Sequence, residues 1–308
     1  MTALEFAGIA GRLLQFGAAA VICGASAFFV YGVTPEPSRR WPGKLIAGAA
    51  ALGLLGGMGW LMVQTASFAE SPRAAFDRAQ VWSVASGTGF GRAVLVRLCV
   101  FFLALLISPA RPRDRRYWPT LAVLGAIASA SFAWSGHGVR DDGLAGVLHL
   151  AADVLHLVAA SAWIGALAAL TALISIARRG AERGAGRDAV TGLARFSGVG
   201  LAVVAVLVAS GLANSWFLVG PGGVAGLATN PYGRLLIAKL VLFAVMLGLA
   251  ALNRFRHTPR LQRTLQGSFA MGTVFRPVLT SVLVETGLAL AVLALVSWLG
   301  ALAPPIDG

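Results

Sequence analysis

Eight apolar runs, each long enough to cross a bilayer at about 20 residues, constrain this chain more than any motif it carries. They fall at 8–33, 43–67, 91–109, 117–135, 144–176, 195–219, 233–253 and 278–302. In hydrocarbon every backbone N–H and C=O must be paired within the segment, and single segments achieve this as α-helices. The sequence therefore predicts an all-α fold, a polytopic membrane helix bundle of about eight transmembrane helices. Residues 1–308 form a single transmembrane domain on this reading, because nothing is left over for a soluble one. The longest connections, 68–90 and 254–277, each have room for a short interfacial helix.

Charge agrees with this placement. Only 12% of residues are charged, where a soluble domain carries about 25%. The net charge of +13 would suit a nucleic-acid ligand if the bases shared a face. Instead they cluster in the short connections, which is a topology signal, so the expected surroundings are lipid and no nucleic acid. Seventeen bases follow runs one, three, five and seven, from Arg39 and Arg40 to Arg263 and Arg276, against six in the alternate connections. That asymmetry puts both termini on the periplasmic side. The first run has Glu5 ahead of its first base, Arg12, so it lacks the basic start of a cleaved signal peptide and reads as a retained helix. Cys23 and Cys99 lie far apart within apolar runs and read as small buried side chains rather than a redox or zinc pair.

Polar groups inside the runs need a partner or a job. The fifth run carries HLAADVLHLVAASAWIG over residues 149–165. His149, Asp153, His156, Ala160 and Trp163 recur at helical spacing, so they share one stripe of a helix. His149 lies near the outer end, with His156 about 10 Å deeper and Trp163 about 10 Å deeper again. Such a stripe either glues neighbouring helices by hydrogen bonds or lines an ion pathway, and the two imidazoles favour the pathway. His137, in WSGHGVRDDG before this run, completes three histidines on one side of the membrane. Asp141 and Asp142 beside it suit either cation collection or helix capping.

The second run offers Met58 and Met62 in GGMGWLMVQTAS, one turn apart and level with the histidines. Their thioethers suit Cu(I), and they would complete a His/Met site if the second and fifth runs are neighbours. Gly56, Gly57 and Gly59 permit a close helix approach there. Packing explains the methionines equally well. Glu285, about 10 Å inside the last run, could stay protonated, pair with a base, or form the inner exit of a cation path. Lys239 reads as snorkelling to the outer interface, Asn214 as a hydrogen bonder between helices, and His257 as a solvated loop residue.

A transition-metal transporter, with copper as the natural ion, fits this set. The competing reading is a b-type haem electron carrier. Haem between two imidazoles needs them on opposite sides of one iron, whereas His149 and His156 lie on one face of one helix, so no haem is expected. No GxxxxGK[ST] pattern occurs, so nothing points to ATP hydrolysis, and the chain reads as a transporter, not an enzyme.

Several stretches taken together are similar to the copper resistance protein D (CopD) family. They are SGHG at 135–138, HLAADVLHLVAASAWIGAL at 149–167, RFSGVGL at 195–201, SGLANSW at 210–216, NPYGRLLIAKLVL at 230–242, the pair Asn253–Arg254, Glu285 and the closing Pro304–Pro305. The likeness is strongest over 135–305. It implies an eight-span protein of the bacterial inner membrane that carries copper, as Cu(I) or Cu(II), from periplasm to cytoplasm in copper homeostasis. It also implies a periplasmic copper-binding partner, CopC, which here would be a separate polypeptide. The expected metal-contacting residues are His137, His149, His156, Met58, Met62 and Asp153. Asp153 would either fix an imidazole tautomer or balance charge, with Trp163 as a gate and Glu285 as the inner release point.

Overall fold

A computed structural model describes residues 2–109, 114–135, 143–182, 184–264 and 271–302. Among these residues the chain is helical throughout, with no strand. The longer helices are α1 (Ala3–Tyr31), α2 (Trp41–Phe68), α3 (Arg78–Gly87), α4 (Gly89–Ile107), α5 (Tyr117–Ala130), α6 (Gly143–Arg179), α7 (Ala185–Leu218), α8 (Pro231–Leu252) and α9 (Met271–Leu299). Seven of the helical segments are long and apolar enough to cross a membrane. The eighth predicted run is α5, extended by a 3₁₀ turn over Ser131–Ser135. The connection 68–90 does hold a short helix, α3, preceded by a 3₁₀ turn over Pro72–Phe76.

Local chemistry sets the helix ends. Thr2 and Glu5 form a reciprocal capping box at α1. Asp77 accepts from the first amides of α3, and Thr88 from Gly91 at α4. Asn230 caps α8 ahead of Pro231 at the first helical position. Gly180 and Gly184 adopt left-handed φ of 63° and 77°, which turns α6 back along α7 in a few residues.

α1 is the centre of the bundle, and its middle is a π turn over Val21–Ala25. There the helix meets α6 with almost no side chain between them. A Cβ on Gly165 would collide with the backbone of Ala20, Gly24 and Ala25. Gly125 of α5 meets the backbone of Cys23 in the same way. On its other side α1 packs on α2, where a Cβ on Gly56 would stand 2.9 Å from the Gly11 carbonyl. Cys23 is buried, as expected, but Cys99 is exposed on the outer face of α4.

The two ends of the bundle differ in chemistry. At one end Arg39 bridges Glu182 and Asp188, at 3.2 and 2.6 Å, joining the first and third arginine-rich connections. Arg195 donates to the carbonyls of Tyr31 and Gly32 at the same end. The opposite end carries the start of α1 and the first turns of α6, with His149. These are called the arginine end and the histidine end below.

Candidate functional site

The stripe read from the fifth run is a stripe in the folded chain. α6 packs against α7 and α9, and these helices with α8 and the Arg12, Phe16 and Ala20 face of α1 line a cavity of about 220 Å³ at the histidine end. His149, Asp153, His156 and Ala160 all line it. His149 is only 3% exposed, and its ring stacks on Phe217 of α7 with centroids 4.7 Å apart. Asp153 accepts from Asn214 Nδ2 at 3.3 Å, so Asn214 does join α7 to α6 as expected.

His156 has a partner that its own helix could not reveal. Its Nδ1 lies 3.1 Å from Ser210 Oγ. Ser210 directs its only hydroxyl proton to the backbone, with Val206 O at 2.6 Å. With its proton so placed, the hydroxyl oxygen is free to accept from Nδ1–H, in the tautomer that leaves the Nε2 lone pair for a metal. Ser210 is the side chain placed to orient this imidazole. Gly211 leaves room for the ring, since a Cβ there would stand 3.3 Å from His156 Cε1.

Lys239 overturns its sequence reading. It faces the bundle interior and lines the cavity with Asp153 and Tyr232 instead of snorkelling to the interface. The carboxylate on α6 offers the ammonium a charge partner that water at a membrane surface would only screen. Arg12 of α1 lines the same cavity and lies over the Trp60 ring at 5.2 Å. Beyond Trp60 is a second buried base, Arg97 of α4, which donates to Gln15, Ser131 and Ser135 at 3.0, 3.3 and 3.0 Å. Arg97 also lies 4.2 Å from the Phe132 centroid. These contacts explain a charged residue within the third run, for which the sequence suggests no partner.

Met58 and Met62 are not brought to the histidines. α2 packs against α1 and α4, turning Gly53, Gly56 and Gly57 inward toward Ala18, Leu14 and Leu98. The methionines therefore fall away from that contact. Met58 is 47% exposed, and Met62 lines a separate groove with Phe76 and Trp82. Gly56 and Gly57 allow close approach, as expected, but to the wrong helices for a His/Met site, and Gly59 faces open space. His137, Asp141 and Asp142 lie outside the described residues. Among the described residues no three His, Cys, Asp or Glu side chains converge on one point. His149, Asp153 and His156 form a ladder along one wall, not a chelate.

Deeper along α6 the stripe ends on a plug. Trp163 is buried and donates from Nε1 to Glu285 Oε1 at 3.0 Å. Its ring meets Phe196 and Phe243 edge-on, at 6.4 and 6.3 Å. Glu285 Oε2 accepts from Asn253 Nδ2 at 3.2 Å. Trp163, Glu285 and Asn253 also line a second cavity, of about 290 Å³, bounded toward the arginine end by Ser197 and Arg254. The same four helices thus line two cavities in series, the first of them shared with α1. The sequence placed Trp163 and Glu285 separately; the fold makes them one unit.

The chain is accordingly a multi-pass membrane protein with ionisable groups lining internal cavities. Residues 1–147 match the family described as copper resistance protein D-like, N-terminal domain, and residues 190–299 match copper resistance protein D. The chain belongs to the copper resistance protein D family, and is a copper-related membrane protein. It is 37% identical over 188 residues to the copper resistance protein D of Pseudomonas syringae pv. tomato, covering 61% of this chain and 59% of that one. It is 29% identical over 287 residues to the copper transport protein CutJ of Bacillus subtilis (strain 168), covering 88% and 51%. With the inner membrane protein YebZ of Escherichia coli (strain K12) the identity is 27% over 269 residues, covering 84% and 87%. The chain thus spans little more than half the length of the first two relatives. No solved structure matches it.

Proposed function

We propose that the chain conducts copper ions across the bacterial inner membrane through α6, α7, α8 and α9, and so contributes to copper homeostasis. One observation carries this reading: two cavities in series on the same four helices, the first lined by imidazoles and a carboxylate, the second by Glu285, with Trp163 between them. Seventeen bases in the connections after runs one, three, five and seven orient the arginine end toward the cytoplasm. The histidine end then faces the periplasm, and copper moves inward. His137, which precedes α6 in the sequence, gathers the ion, and a CopC-like protein delivers it. His149 and His156 take it in turn down the ladder, either oxidation state being compatible with imidazole. Asp153 offsets its charge, and copper passes as cargo without chemical change. The name of CutJ, a copper transport protein, supports the same direction of argument.

Copper uptake into cells carrying His149→Ala with His156→Ala tests the pathway. The expected result is loss of uptake with normal membrane insertion. Uptake and copper affinity equal to the parent would sink the ladder, and a strong Soret absorbance in the purified chain would favour haem instead.

A further inference from the structure

The second cavity contains a carboxyl held only by neutral donors. Glu285 is 0% exposed and bonded to Trp163 and Asn253. Among the described residues it forms no salt bridge. α7 presents Leu193, Phe196 and Ser197 to this cavity, none of them ionisable. Arg254, the other charged residue in its lining, donates to Ser197 O at 2.7 Å and lies beside the Phe255 ring. Arg256, His257 and Arg260 of the neighbouring segment stay outside that lining. Asp153, His156 and Lys239 belong to the first cavity, beyond the plug. α1 brings its Arg12 to α9 only at Gly300, about 22 Å along the helix from Glu285.

Two buried polar atoms belong to residues near Glu285, one bonded to it and one a turn away on its helix. Asn253 Oδ1 and Ser281 Oγ find no hydrogen-bond partner among the described residues. Ser281 lies one turn before Glu285 on the same face of α9. A buried acceptor on the very amide that already donates to the carboxyl has a direct chemical meaning. Half a turn of the Asn253 amide would bring Oδ1 to Glu285 Oε2, where it accepts an O–H. One orientation of the amide satisfies the carboxylate, and the other satisfies the carboxylic acid. Trp163 Nε1–H can donate to both forms. Asn253 also opens a π turn, Asn253–His257, a distortion that collects at functional sites.

We propose that Glu285 is the proton-carrying site of a copper–proton exchange, a role that rests on the copper pathway above. Copper arriving from the first cavity displaces the proton: the Glu285 O–H bond breaks, the proton leaves toward the histidine end, and the carboxylate faces the ion. When copper departs into the second cavity, the carboxylate takes a proton from that side and the Asn253 amide turns. One copper ion moves one way and one proton the other. No electron is transferred, and copper keeps its oxidation state.

The test uses the full chain in phosphatidylcholine vesicles with a trapped pH dye. Cu(I), kept reduced with ascorbate, is added outside, and internal copper and pH are followed together against empty vesicles. Copper entry should be matched by a rise in internal pH. In Glu285→Gln the copper-driven pH change should fall by about tenfold or more, because an amide has no exchangeable carboxyl proton. Copper entry without a pH change, or with internal acidification, overturns the exchange and leaves transport standing. So does a Glu285→Gln variant that keeps the full pH change. If that variant does not insert, the paired copper and pH traces of the unaltered chain still decide. No copper entry at all overturns the transport reading, and the exchange falls with it.

Discussion

His156 is the residue at which position, protonation and room meet. Its place on α6 gives the depth, Ser210 stands within hydrogen-bond reach of Nδ1, and Gly211 leaves space for the ring. Ser210→Ala removes the acceptor without touching the imidazole. Copper affinity of the purified chain should fall by about 10- to 100-fold, the usual cost of losing a group that orients a ligand. An unchanged titration would show that the serine serves only α7. The methionines behave in the opposite way. Met58→Leu with Met62→Leu keeps volume and apolarity on the outer face of the bundle, so copper uptake should stay within about twofold of the parent. A complete loss would mean that α2 reaches the pathway after all. Ser210 was not legible beforehand, because a serine in an apolar run usually bonds its own helix, and only the approach of α7 gives it a histidine.

At the scale of elements, the π turn of α1 against Gly165 is the most demanding contact. α6 approaches closely enough that the backbone of α1 occupies the space a side chain would need. Gly165→Ala forces the helices apart and should cost about 1–3 kcal/mol, as overpacking does. Thermal unfolding in detergent reads that loss, and a melting temperature equal to the parent's would mean the helices can separate freely. Helix existence was legible from apolar length, and the eight runs correspond to α1, α2 and α4 to α9. Helix neighbours were not. The glycines of α2 announce a close approach without naming the helix approached, because a helix–helix contact depends on surfaces that are far apart in sequence.

Considered as a whole molecule, the bundle has one end rich in arginine and one end rich in histidine. A reporter joined after the last helix tests how it sits in the membrane. Alkaline phosphatase fused there should be active, and a fluorescent protein folded in the cytoplasm should be dark. The reverse pattern would turn the pathway around. The helical class, the spans and the stripe on α6 can be read from the residues alone, since each follows from spacing along one helix and from the cost of polar groups in lipid. Which residues share a cavity cannot, and packing settles it. It set Lys239 opposite Asp153, gave Arg97 its acceptors, removed Met58 and Met62 from the histidines and joined Trp163 to Glu285. Those pairings come from different helices, and helix packing follows the shapes of whole surfaces, which spacing along a single helix does not encode.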